Sequence, residues 1–193
     1  MPILRVFRAF GPSRLGLLAL VAALVSGCVT VDVTLAPDGS GTITYEAAVM
    51  PGSSVEAQKA LFTSPHVTVQ TLTIDPKSSM MKVTAKVDDI TELDSAKAFA
   101  DVDVVRTQSG EDTTLTATIT NRAPRPDAPE DGVAGPRITA TLPGKVIEAT
   151  GAKHEVSGST VTWTLTRTEY LRAGKHVLTV RYATPKDGGA AKP

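Results

Sequence analysis

Residues 29–49 read VTVDVTLAPDGSGTITYEAAV. Val29, Val31, Val33 and Leu35 share one side of an extended chain, and Thr30, Asp32 and Thr34 share the other. Side chains alternate across a strand, so apolar residues at period two predict a strand with one face for a core and one for water. Pro37-Asp38-Gly39-Ser40-Gly41 supplies turn chemistry, with glycine free to take positive φ. The alternation then resumes with Ile43, Tyr45, Ala47 and Val49, which completes a hairpin.

The same pattern continues through the rest of the chain. Pro51-Gly52 stops the second strand, and Ser53 or Ser54 can cap a short helix through about Thr63. Residues 66–75 alternate with a slip of phase near Gln70-Thr71, which predicts a β-bulge. Met81, Val83, Ala85 and Val87 form the next inward face. Asp89 followed by Glu92 fits a capping box, and Ile90, Leu93, Ala96 and Phe99 predict a helix through about Ala100 that lies on the sheet. Residues 101–107 and 112–121 predict a hairpin around Ser109-Gly110. Residues 122–136 hold four prolines and predict a long exposed loop. Strands return over 138–142, 145–150, 161–165 and 178–182, and the tail after Thr184 reads as disordered.

Apolar residues on one face and threonine on the other describe a sheet covered on one side only, since a sheet buried on both sides reads as continuous apolar runs. The expected fold is therefore α+β: a curved, mainly antiparallel sheet with two short helices packed on one face. Small apolar residues under such helices leave room for a cavity. Phe62 and Phe99, near the ends of the two predicted helices, and Trp163, on an apolar strand face, are its candidate walls.

The first residues follow a different pattern. Arg5, Arg8 and Arg14 precede the uninterrupted apolar run LGLLALVAALV at 15–25, and Val25-Ser26-Gly27-Cys28 follows. A membrane-spanning helix needs about 20 apolar residues, so the run has the length of a signal-peptide core. Val25, Ser26 and Gly27 supply the small side chains signal peptidase II requires, and the Cys28 thiol is the atom that takes the diacylglyceryl group. The expected organisation is a cleaved lipoprotein signal peptide at 1–27, one extracytoplasmic domain at 28–184 and a disordered tail at 185–193. Acyl chains on Cys28 then hold the protein to a bacterial membrane, facing away from the cytoplasm. Val29 in place of Asp leans toward the outer membrane in envelopes that sort by that position.

Composition excludes several functions. The chain has 193 residues, 20 basic and 20 acidic side chains, a single Cys and only 4% aromatics. One Cys builds neither a disulfide framework nor a cysteine-based metal site. A neutral chain with few rings lacks the basic face and stacking platform of a nucleic-acid binder. Removing the three leader arginines leaves a mildly acidic mature chain. His66, His154 and His176 stand alone in their segments, and no nucleophile elbow or phosphate loop occurs. Asp101 and Asp103 point the same way but read as a solvated strand end. No catalytic residue, metal ligand or cofactor site is expected, and the protein is not expected to be an enzyme.

With these elements in order, the chain resembles LppM-type bacterial lipoproteins. The likeness rests on Gly27-Cys28-Val29-Thr30-Val31 opening into a strand, the Asp38-Gly39-Ser40-Gly41 hairpin and the Asp89-Ile90-Thr91-Glu92-Leu93 helix start. It continues through ATLPGKVIEATG, the strand with Trp163 and the final strand ending Arg181-Tyr182. The resemblance implies an α+β envelope domain related to lipid-binding and lipid-trafficking modules. The Pro-rich 122–136 stretch and the lack of a hydrophobic C-terminal segment depart from it. The expected function is binding of a lipid or other hydrophobic ligand between helices and sheet. The alternative is an envelope scaffolding lipoprotein that meets a protein partner through its threonine face or the 122–136 segment.

Overall fold

The computed structural model describes residues 29–184. The signal peptide, the box from Val25 to Cys28 and the 185–193 tail lie outside the described residues.

Eleven strands form in chain order: β1 (Thr30–Leu35), β2 (Gly41–Ala48), β3 (Val67–Ile74), β4 (Met80–Val87), β5 (Val102–Ser109), β6 (Asp112–Thr120), β7 (Ala134–Thr141), β8 (Val146–Thr150), β9 (Lys153–Ser157), β10 (Thr160–Thr166) and β11 (Lys175–Ala183). Two α-helices join them, α1 (Val55–Phe62) and α2 (Arg167–Arg172). One sheet has seven strands in the order β3-β4-β2-β1-β7-β10-β9, and a second has four in the order β5-β6-β11-β8. Pairing is antiparallel except between β1 and β7.

This architecture corrects the α+β expectation. Strands hold 52% of the described residues and helical turns only 15%, and neither sheet closes on itself. The apolar face of β1 and β2 is covered chiefly by a second sheet. Both sheets carry the same one-sided alternation, and each buries its apolar face against the other's.

The second predicted helix is also corrected. Residues 90–99 form two 3₁₀ turns, Ile90–Ser95 and Lys97–Phe99, separated by Ala96 in an extended conformation. Ile90, Leu93, Ala96 and Phe99 recur at a constant interval of three, which matches the threefold 3₁₀ turn better than the 3.6 residues of an α-helix. Asp89 caps the first turn by accepting from the Thr91 amide at 2.9 Å.

Elsewhere, local signals and structure coincide. Ser54 caps α1 by accepting from the Ala57 amide at 3.1 Å. Pairing of β3 with β4 shifts register between Val69 and Thr71. The extra residue places Leu72 and Ile74 on the same face as Val67 and Val69, which strict alternation would forbid. Threonines line the wet face in cross-strand pairs: Thr139 meets Thr162 and Thr141 meets Thr160, each at 3.3 Å between hydroxyls.

Residues 122–133 form the expected exposed loop, with Ala128 as its one buried residue, and residues 134–136 belong to a strand. Ala128 is buried against Leu165, Tyr170 and Leu171. Thr168 donates to the Pro129 carbonyl and Arg172 to that of Ala128, each at 2.9 Å. Residues 134–136 extend β7, although one of them is proline. Pro136 is tolerated there because strand pairing needs its neighbours' amides: Arg137 donates to the Val29 carbonyl at 2.9 Å.

Contacts at the edges join the two sheets. Trp163, on the inner face of β10, donates from its indole N–H to the Thr150 carbonyl of β8 at 3.0 Å. Arg106, on β5, donates to the Pro37 carbonyl at 2.6 Å in the β1–β2 turn. Gly39 in that turn has φ of 95°, and a Cβ there would sit 3.2 Å from the Arg106 guanidinium. At the far side, the rings of Tyr45, Phe62 and Phe99 form a mutually contacting trio with centroids 5.3 to 6.1 Å apart. The trio fastens α1 and the second 3₁₀ turn to β2. Phe62 is fully buried, so Phe62→Ala is expected to cost about 3–5 kcal/mol through lost contacts and a residual cavity. Urea denaturation measures it, and a loss below about 1 kcal/mol would show that the trio is not the fastening point.

Candidate functional site

The inner faces of the two sheets do not meet completely. Between them lies a cavity of about 170 Å³. On that scale a single water needs only ~10–15 Å³, so the space exceeds an ordinary packing defect many times over. Val31, Val33, Ile138 and Ala140 form one wall and Val102, Val104, Ala117, Ile119 and Leu178 the opposite wall. Each comes from the alternating apolar set of its strand. They leave a gap because they are small: Ala140 sits beside Val33 on one sheet, and Ala117 beside Val104 and Leu178 on the other.

The two ends differ. Around Leu35, Ile90, Leu115 and Val180 the lining is sealed, with none of the four more than 7% exposed. Arg106 closes that end by strapping β5 to the β1–β2 turn. At the other end Thr120 is exposed, and Asp101, Val102, Ile119 and Ile138 are partly so. The cavity therefore opens between the start of β5 and the end of β6. The polar lining residues Asp101 and Thr120 sit at this mouth, together with the tyrosines Tyr45 and Tyr170. Asp101 pairs with Arg122 through one carboxylate oxygen.

Of the three candidate wall residues, the structure brings Phe99 and Trp163 to the cavity. Phe62 instead lies behind Phe99 in the aromatic trio and does not line it. Cys28, Val25, Ser26 and Gly27 lie outside the described residues, whereas their neighbour Val29 is buried and lines the cavity.

Tyr45 and Tyr170 carry functional interest that the sequence reading missed. Tyr170 sits on α2, whose start bears a complete capping box. Thr166 accepts from the Glu169 amide at 3.1 Å, and Glu169 accepts from the Thr166 amide at 2.7 Å. The Thr-x-x-Glu signature at 166–169 was the available signal. The Tyr170 ring stacks on His176 at 5.5 Å. His176 is consequently buried rather than at the surface, with Nε2 3.3 Å from the Tyr170 carbonyl. His154 lies on the exposed edge strand β9 instead of in a turn, and His66 immediately precedes β3.

Burial pushes both phenols up to about 12, with Tyr170 also feeling the Asp101 carboxylate. Both therefore stay protonated near neutral pH and act as hydrogen-bond donors.

A second depression, of about 300 Å³, lies on the β3–β4 hairpin beside the Lys82–Glu46 ion pair. It is larger but is a shallow groove open to water, with Thr73, Asp75 and Ser78 among its lining, and it offers a ligand little desolvation. Among the described residues no cluster of His, Cys, Asp and Glu could hold a metal. No helix among them is long and apolar enough to cross a membrane.

The raised tyrosines imply a pH dependence. Their folded values exceed the ordinary value of 10, so the native state retains protons that the unfolded chain releases. Their stabilising contribution is whole below pH 10 and is lost as pH climbs toward 12. Tyr45→Phe should flatten the fall in stability across that window. The ultraviolet phenolate titration should lose a late-titrating group in Tyr45→Phe and another in Tyr170→Phe. Early titration of both in the folded wild type would count against their burial.

Among solved structures, the chain is similar to the folded domain of LppM from Mycobacterium tuberculosis. Identity is 17%, the match covers 81% of this chain and 90% of that one, and the TM-score is 0.48. No family model matches the chain, and no curated protein matches it. Its function has to be reasoned from its own residues.

Proposed function

We propose that this chain is a lipid-anchored bacterial cell-envelope protein that holds a lipid or other hydrophobic ligand between its two sheets and does no chemistry on it. The cavity carries this reading: it is lined almost entirely by aliphatic and aromatic side chains and is open at one end. A chain that buried roughly 200 Å² of apolar surface there would gain on the order of 5 kcal/mol from the hydrophobic effect. Asp101 is the one titratable carboxylate in the lining, and it is tied to Arg122 in an ion pair. That favours a carrier or sensor over a catalyst.

The anchor comes from the leader and the Val25-Ser26-Gly27-Cys28 box. Each acyl methylene buried in a bilayer contributes roughly 0.8 kcal/mol, so several chains on Cys28 hold the protein stably at the surface. Val29, next in the chain, lies in the cavity wall. That arrangement suits a ligand exchanged with the membrane itself.

Two measurements test this. Filling the cavity with Ala117→Leu and Ala140→Leu together should cut binding of a neutral fluorophore such as aminoanthracene at least about tenfold, at a stability change within about 1.5 kcal/mol. Equal binding by the filled variant would place the fluorophore elsewhere and remove the support. Separately, Cys28→Ala should move the protein from the membrane pellet to the soluble fraction. Unchanged fractionation would exclude lipidation as the anchor.

A further inference from the structure

Besides Thr120, three polar residues converge toward the open end of an otherwise apolar cavity. Tyr45 belongs to β2, Tyr170 to α2, and Asp101 precedes β5, so three separate parts of the fold converge on one rim. Tyr170 stacks on His176, the cross-strand partner of Ile119 at the mouth; the Asp101 carbonyl accepts from the Thr120 amide at 2.8 Å; and the Tyr45 ring contacts Phe99, two residues before Asp101, at 6.1 Å. Neither phenol hydroxyl hydrogen-bonds to a described residue; Tyr170 is engaged only through its ring and its backbone carbonyl. Both hydroxyls are donors free to meet a ligand at the open end of the cavity.

We propose that this rim is a head-group subsite: the Tyr45 and Tyr170 hydroxyls and the Asp101 carboxylate hold the uncharged, hydroxyl-bearing head of a single-chain amphiphile whose tail runs into the apolar cavity. This rests on the ligand-binding reading above and narrows its chemistry. Two donors beside an acceptor match an alcohol, which both accepts and donates. Arg122 pairs with Asp101 and balances the charge of that carboxylate. A fatty-acid carboxylate would bring a second anion beside Asp101 and could not donate to it. A bare hydrocarbon would leave both phenols unpaired on losing water.

The dimensions agree. From Ile119 at the mouth to Leu115 at the sealed end, β6 advances about 13 Å, the extended length of about ten methylenes. Arg106 behind Leu115 sets the stop, because its guanidinium is committed to the turn carbonyls of Pro37 and Asp38.

Displacement of aminoanthracene from the full-length protein tests the subsite. Three competitors of one chain length are compared: a monoacylglycerol, the free fatty acid and the alkane. The monoacylglycerol should displace the fluorophore at least about tenfold more effectively than the other two. In the double variant Tyr45→Phe, Tyr170→Phe that advantage should vanish while the alkane competes unchanged, which also shows that the cavity is still folded. Asp101→Asn should raise the affinity for the fatty acid several-fold. Equal ranking of the three competitors, a preference for the acid, or a monoacylglycerol advantage that survives the double variant would each overturn the subsite. Fluorophore binding with no head-group preference defeats the subsite alone, whereas no fluorophore binding defeats the cavity reading as well.

Discussion

The Trp163 indole N–H donates to the Thr150 carbonyl at 3.0 Å and so joins the seven-stranded sheet to the four-stranded one. Arg106 does the same at the sealed end, reaching from β5 to the β1–β2 turn. Between these ties the facing side chains are mostly valine, alanine and isoleucine. Paired sheets normally interdigitate at a spacing of about 10 Å. Short side chains held between rigid ties cannot fill that spacing, so the interior is hollow in the middle, sealed at the Arg106 end and open at the other. A gap of this size forfeits dispersion contacts along both walls. Its persistence is readily understood if something other than protein fills it.

The remaining elements support that gap. The Tyr45–Phe62–Phe99 trio fastens one short helix and a 3₁₀ turn where two short helices were expected on the sheet. It needs only one short helix and two 3₁₀ turns to cover the outer strands. Helix α2 has a different part. Its capping box fixes its start, its C-terminal arginine holds the 122–136 segment, and Tyr170 projects to the cavity mouth. The proline-rich segment contributes Ala128 to a second small core and leaves the rest of residues 122–134 exposed.

Much of this was legible residue by residue. The alternation from Val29 to Val49, the bulge at Gln70-Thr71, the Ser54 cap and the turn at Ser109-Gly110 are short-range features, and each appears where the residues put it. Errors arose where one local pattern admits two geometries. A three-residue apolar interval at 90–99 can be read as one face of an α-helix or as a 3₁₀ run. The polar strand β9 has no buried face, so its KHEVS sequence gives no periodic signal. Phe62 and Phe99 both looked like cavity walls, yet only Phe99 reaches the cavity, because Phe62 packs behind it.

Strand identity, the polarity of each face and the expectation of a lipobox beside a basic leader came from the chain alone, since each rests on residues a few positions apart. The division into two sheets, the hollow between them and the meeting of Tyr45, Tyr170 and Asp101 came only with the tertiary structure. Alternation states that a strand has an apolar face without stating what will cover it. The choice between a helix and a second sheet rests on contacts such as Arg106 to Pro37, which are 69 residues apart in the chain. No local periodicity carries that information.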